Sequence, residues 1–169
     1  MNKFISELTG KLNSLDVEKL NALKSLILQN STDILILGNG GSNAISAHMA
    51  EDYTKALGKK ATAFTDGARL TCYANDYGYE SAFAQFAKEF STNKSLVILI
   101  SSSGNSANIL KCAEHCANTS TPFVILTGFN PENKLRKSYK DKALLEFWVD
   151  STDYGVVECT HEIILHSVI

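Results

Sequence analysis

Short apolar runs recur along the chain at intervals that leave room for one helix between each pair. Asp33-Ile-Leu-Ile-Leu37 and Ser95-Leu-Val-Ile-Leu-Ile100 carry unbroken aliphatic stretches, the composition of strands buried on both faces of a parallel sheet. The full pattern predicts strands near 33–37, 60–65, 95–100, 122–127 and 143–149, and helices near 43–56, 67–74, 79–91, 106–118 and 154–169. Pro122 falls at the first residue of its strand, where a missing N–H is tolerated. Asn130-Pro-Glu-Asn-Lys134 marks a turn before a short basic helix. Ahead of the first strand, Phe4, Ile5, Leu8 and Leu12, then Leu20, Leu23, Ile27 and Leu28, fall at helical spacing, with Ser14 and Asp16 as caps between them. Such a pair must bury its apolar stripe against the rest of the chain or against a sister subunit. No linker or low-complexity segment divides the sequence. The expectation is therefore one domain over 1–169, with N-terminal helices in 1–30 and an α/β core in 31–169. Alternating strands and helices imply a three-layer α/β sandwich around a five-stranded parallel sheet.

Two of the strands run into turns made of small residues, Gly38-Asn-Gly-Gly-Ser42 and Ser101-Ser-Ser-Gly-Asn-Ser106, each opening a helix. A turn of this kind presents backbone N–H groups and hydroxyls to an anion, and the helix dipole adds partial positive charge. The second turn is the sharper signal, because its four serines supply hydroxyl donors suited to a phosphate. One copy alone would read as an ordinary polar loop. Two copies, both at the carboxyl edge of the sheet where α/β folds bind ligands, point to a sugar phosphate or a nucleotide.

Composition narrows the classes. A formal charge of −2 over 169 residues offers no basic footprint for nucleic acid. No apolar run is long enough for an ordinary membrane-spanning helix. Met1-Asn-Lys-Phe-Ile-Ser-Glu-Leu8 puts polar and acidic residues where a secretory leader needs an apolar core, so a cytoplasmic location is expected. The four cysteines, Cys72, Cys112, Cys116 and Cys159, fit that compartment as free thiols. His115 lies about 60° and about 100° round the helical wheel from Cys112 and Cys116, so those three converge poorly on one ion. The two cysteines read as core residues.

Other histidines pair better. His48 and Asp52 are four apart on the helix after the first small-residue turn, about 40° apart on one face. On the terminal helix spacing leaves alternatives open. Glu158 with His161 and Glu162 with His166 are near neighbours, whereas Glu158 and His166 are eight apart and about 80° round the wheel.

In combination, Gly38-Asn-Gly-Gly-Ser42, Asn75-Asp76, Ser101-Ser-Ser-Gly-Asn-Ser106 and Glu158-Cys-Thr-His-Glu-Ile-Ile-Leu-His166 resemble the sugar isomerase (SIS) fold. Within it they are most similar to the phosphoheptose isomerases, which convert sedoheptulose 7-phosphate to D-glycero-D-manno-heptose 7-phosphate. The resemblance implies a homotetramer with active sites at subunit contacts. It places Asn39, Gly40, Gly41, Ser42, Asn75, Asp76, Ser101, Ser102, Ser103, Ser106 and Glu158 around the sugar phosphate, and His48, Asp52, Glu158 and His166 at a zinc ion. It also selects Glu158 and His166 from the alternatives above, leaving His161 to pack or to face a neighbouring subunit. The sequence departs from the commonest members, which carry a glutamate where Asp52 stands and a glutamine where Glu158 stands. Both replacements keep an oxygen ligand. They change reach and charge: Asp52 is one methylene shorter, and Glu158 adds a negative charge. Family members usually continue the terminal helix several turns past the position of His166.

Aldose–ketose exchange moves a proton between adjacent carbons through an enediol. His166 and Asp52 are the expected acid–base pair, zinc the expected Lewis acid, and Asp76 a polar substrate contact. A competing reading from another class is a non-catalytic SIS protein that binds a sugar phosphate, or one resembling the replication initiator-associating proteins, which shed the metal residues.

Overall fold

The computed structural model describes residues 2–30 and 33–169, with the side chain of Asn30 excepted. The junction expected at residues 30 and 31 lies partly outside the described residues. Five strands, β1 (Asp33–Gly38), β2 (Lys60–Ala63), β3 (Leu96–Ser101), β4 (Phe123–Gly128) and β5 (Leu145–Val149), form one sheet in the order β2-β1-β3-β4-β5. All four pairings are parallel. Helices α1 (Lys3–Asn13) and α2 (Val17–Ser25) precede the sheet, and α3 (Gly41–Leu57) links β1 to β2. Helices α4 (Gly67–Tyr77) and α5 (Tyr79–Phe90) lead into β3, α6 (Ala107–Thr119) into β4 and α7 (Lys134–Tyr139) into β5. The last helix, α8 (Tyr154–His166), follows β5.

Strand periodicity sorts the core into two layers. Ile34, Ile36, Ile98, Ile100, Val124 and Leu126 face one side, where α2, α3 and α8 bring Leu23, Met49, Tyr53 and Ile164. The intervening Leu35, Leu37, Val97, Leu99, Phe123 and Ile125 face the other side, covered by Phe83 and Phe86 of α5 and Ile109, Cys112 and Cys116 of α6. Burial on both faces explains why these strands are aliphatic throughout. Cys112 and Cys116 are core thiols, as their spacing predicts.

Two details carry no sequence signal. A π turn occupies Leu26–Asn30 at the end of α2, and α8 ends at His166, short of the predicted limit at 169. Past that point Val168 turns inward and is fully buried, so apolar character there reflects core packing rather than further helix. The N-terminal helices differ from each other: α2 buries Leu23, while α1 buries none of its residues.

Candidate active site

The direction in which successive strands are added reverses at the middle of the sheet. From β1 the chain crosses through α3 to β2 on one side, and from β3 it crosses through α6 to β4 on the other. Such a switch point opens a crevice at the carboxyl ends of the two central strands. Gly38 pairs with Ile100 in the β1–β3 register, so both small-residue turns leave the sheet side by side.

Gly40 holds φ 56° and ψ −122°, a conformation open to glycine and strained for other residues. It starts α3 without a side-chain cap, and α6 likewise begins at Ser106 uncapped. By contrast, side chains of Asp16, Asp66, Asn133 and Asp153 cap α2, α4, α7 and α8. Uncapped N-termini leave N–H groups free for a ligand. The serine turn is held rigid: Gly104 N–H donates to Ser101 O at 3.0 Å, Asn105 N–H to Ser103 Oγ at 3.3 Å, and Gly128 N–H to Ser102 O at 2.9 Å. Ser102 Oγ is buried and has no hydrogen-bond partner. An orphaned hydroxyl costs stability unless a ligand satisfies it.

Asn39, Gly40, Gly41 and Ser42 from one turn, Ser101, Ser102, Ser103 and Ser106 from the other, and Glu158 of α8 line a cleft of about 240 Å³. The Asn39 side chain also has a structural task. It exchanges two hydrogen bonds with Asn108 of α6, at 2.9 and 2.8 Å, and accepts a third from Tyr79 Oη at 2.8 Å. That reciprocal pair locks the two turns together. Asn75 and Asp76, expected among the substrate contacts, do not line this cleft within the chain. Helix α4 packs through Leu70 and Tyr73 on the opposite face of the sheet, which leaves both residues exposed at its end, hydrogen-bonded to each other at 2.9 Å.

Glu158 sits close over the turn. A Cβ built on Gly41 would collide with the Glu158 carboxylate, so the glycine leaves the room in which that carboxylate lies against the backbone. Desolvation in this position raises the Glu158 carboxyl pKa above its usual range. A neighbouring hollow of about 300 Å³ shares Gly41 and Glu158 and runs between α3 and α8 to Glu162.

At the far end of that path the ligand atoms of His48, Glu162 and His166 all lie within 4.8 Å of one another. The two imidazole centroids are 5.2 Å apart. His166 Nδ1 lies 2.8 Å from Met49 Sδ; a thioether has no proton to give, so in a hydrogen bond between them the ring N–H is the donor. Asp52 Oδ2 is 3.5 Å from His48 Nε2. Of the four expected metal residues, then, His48 and His166 converge, Asp52 lies beside His48, and Glu158 stays at the rim of the sheet. Glu162, not among those expected, takes part in the convergence, and its spacing of four from His166 was the available signal.

Helices α3 and α8 are tied together just behind this group. Tyr53 Oη donates to Leu165 O at 2.8 Å in the core. His161 is fully buried, and its Nε2–H donates to Thr127 O of β4 at 3.0 Å. Burial pulls its pKa down to about 4 against a smaller opposing effect of that hydrogen bond, so the ring is neutral at physiological pH. His161 thus packs inward and fixes α8 on the sheet.

A larger hollow of about 440 Å³ lies under α1 and α2 against β5. Its charged side chains are already engaged: Lys19 Nζ donates to Glu146 O at 3.1 Å, and Lys11 Nζ is 3.9 Å from Asp150. The chemistry-bearing groups gather instead at the smaller cleft.

Comparison with known proteins agrees with this fold. The SIS domain family matches residues 2–128. Phosphoheptose isomerase from Fusobacterium nucleatum is 30% identical over 174 residues, covering 100% of this chain and 86% of the relative. This chain belongs to the phosphoheptose isomerase family of SIS-domain proteins. The enzyme of that name from Helicobacter pylori strain Shi470 is 34% identical over 145 residues, 82% of this chain and 73% of the relative. The solved phosphoheptose isomerase from Neisseria gonorrhoeae superposes with a TM-score of 0.87 at 28% identity, covering 98% of this chain and 91% of that one. The five-stranded parallel sheet described above is therefore that of the SIS-family phosphoheptose isomerase fold. None of these relatives favours the non-catalytic reading.

Proposed function

We propose that this chain is an aldose–ketose isomerase acting on a phosphorylated sugar, with sedoheptulose 7-phosphate as substrate and D-glycero-D-manno-heptose 7-phosphate as product. One observation carries the reading: the serine-lined cleft, with its orphaned Ser102 hydroxyl, opens along α8 toward a paired His48 and His166. The family relationship supports it.

The turns and the uncapped ends of α3 and α6 grip the phosphate, so binding energy from a remote group is converted into positioning at the reacting carbons. From Glu158 to His166, α8 rises about 12 Å at about 1.5 Å per residue, which gives an extended sugar a track from phosphate to carbonyl. Asp52 and His166 form the pair that moves the proton between the adjacent carbons and their oxygens. Two imidazoles and a carboxylate within 4.8 Å are a donor set that fits zinc. His48 and His166 would hold the ion, with carboxylate ligation from their neighbours; when bound, it supplies Lewis-acid polarisation of the sugar's carbonyl and hydroxyl oxygens.

The proposed assembly is a cytoplasmic homotetramer with its sites at subunit contacts. In support, α1 carries Phe4, Ile5, Leu8 and Leu12 yet buries none of them, and Ile5 and Ile163 are 46% and 39% exposed. No described helix is long and apolar enough to cross a membrane.

Product analysis tests the proposal. Zinc-loaded protein incubated with sedoheptulose 7-phosphate in deuterated water should yield the heptose phosphate with deuterium at C2. Absence of conversion of that sugar, and of C5 and C6 ketose phosphates offered beside it, would reject it.

A further inference from the structure

We propose that Tyr154 is a substrate-contacting residue that sets specificity, its ring forming the outer wall of the serine-lined cleft against the carbons next to the sugar's phosphate. The inference deepens the isomerase reading and rests on that cleft holding the phosphate.

Three observations lead to it. First, Tyr154 lines the same cleft as Ser101, Ser102, Ser103 and Glu158 and is 60% exposed, so its ring is accessible to a ligand entering there. Second, it is the first residue of α8, whose N-terminus the Asp153 side chain caps. It precedes Glu158 by one helical turn, about 40° round the wheel, and lies about 18 Å along the helix from His166 at about 1.5 Å per residue. That is the phosphate end of the groove. Third, the ring is propped. Phe129 meets it edge to face, with centroids 4.7 Å apart and planes at 82°. Among the described residues only Ser120 and Phe129 are non-glycine residues with a positive φ. Ser120 closes α6, a common place for such a residue. Phe129, at φ 54°, lies just past β4 and closes no helix, a strained conformation for a bulky side chain. Its N–H donates to Ser151 O at 3.0 Å and its carbonyl accepts from Trp148 Nε1–H at 3.3 Å. The fold holds that strain, and the result is a ring set against Tyr154.

The chemistry of the assignment agrees. Serine hydroxyls and backbone N–H groups suit any phosphate, inorganic phosphate included. Preference for a phosphorylated sugar needs a surface for its carbons as well. A tyrosine ring supplies large contact area at a small cost in conformational freedom, and here the helix and Phe129 fix it before the ligand arrives, which lowers the ordering cost further. A contact at this end is remote from the reacting carbons, so it acts on ground state and transition state alike.

Glycerol 3-phosphate isolates the contact, because it carries only the carbons next to the phosphate and needs no turnover. Its binding to the full-length protein is followed by phosphorus-31 NMR titration, with inorganic phosphate as the reference. Tyr154→Ala should weaken glycerol 3-phosphate by about fivefold and leave inorganic phosphate within about twofold of the parent. Tyr154→Phe keeps the ring and should restore most of the lost affinity. Phe129→Gly should weaken glycerol 3-phosphate in the parent and add nothing in the Tyr154→Ala background, as befits a positioning residue that acts through Tyr154; if it does not fold, Phe129→Leu is measured in its place. The proposal is overturned if Tyr154→Ala binds glycerol 3-phosphate as the parent does, if it weakens both ligands equally, if Tyr154→Phe fails to rescue, or if the parent binds glycerol 3-phosphate no better than inorganic phosphate. Dissociation of an oligomer by Tyr154→Ala would also overturn it, by making the ring a subunit contact. Sedoheptulose 7-phosphate left unconverted while these affinities hold counts against the isomerase reading alone.

Discussion

The two ends of the groove are built differently. At the rim of the sheet, the end proposed to hold phosphate is made mainly of backbone: turns leaving adjacent strands whose register is fixed by the β1–β3 ladder, locked by the Asn39–Asn108 pair. At the other end, the histidine group is made of side chains from two helices, and its geometry depends on how α3 and α8 pack. A backbone site is specified by strand pairing and tolerates change along the helices. A side-chain site moves whenever either helix shifts. The first should therefore survive perturbations that dismantle the second.

The largest expected effect comes from the histidine end alone. His166→Ala should lower kcat by about 10³-fold, within the range for loss of an acid–base group, while sugar-phosphate binding remains measurable by calorimetry. Equal loss of binding would erase the distinction between the ends.

Acidification should loosen the same end through its anchor. The folded pKa of His161 is depressed to about 4 from 6.5, so the unfolded chain takes up the proton first as pH falls. Its contribution is fully present above pH 6.5 and is lost between there and about pH 4, amounting to about 3 kcal/mol. Urea unfolding across that window, compared with His161→Gln, isolates this share of the pH dependence. A variant as acid-sensitive as the parent would refute the assignment.

Cutting the tie between the two helices is milder. Tyr53→Phe should cost about 1 kcal/mol, since it removes a buried hydrogen bond and leaves the Leu165 carbonyl with only its backbone donors at the end of α8. Burial also raises the Tyr53 hydroxyl pKa, so this donor persists across ordinary pH. Zinc affinity should fall with stability, and phosphate affinity should not.

The smallest effect has opposite signs in two assays. Ser102→Ala deletes a buried hydroxyl that nothing satisfies, so the free protein should gain up to about 1 kcal/mol in stability. Inorganic phosphate should then bind about tenfold more weakly, the equivalent of one hydrogen bond to a charged group. Lower stability would mean that the hydroxyl is satisfied within the fold.

The same contrast explains what could be read from sequence. Strand runs such as Leu96–Ile100 and the turns they feed are local patterns, so the sheet, the crevice and the serine cradle are legible from composition and spacing. The grouping of side chains on α8 is not. Glu158 and Glu162 both lie near a histidine in sequence, and only the approach of α3, with His48 brought beside His166, puts Glu162 into that group within the chain. His161 depends on Thr127, a partner 34 residues away in the chain, and no local pattern announces such a pair. Asn75 and Asp76 stand out as a motif but not as residues outside the cleft, because helix packing decides which way the end of α4 faces.

The central claim is that one groove holds phosphate at the serine turns and the reacting carbons at His48 and His166. Paramagnetic relaxation in the manganese-loaded protein measures this directly, with carbon-13 at C1 and C2 of bound sedoheptulose 7-phosphate and its phosphorus-31 as the two reporters. The account predicts strong relaxation of C1 and C2 and much weaker relaxation of phosphorus; stronger relaxation at phosphorus would contradict it.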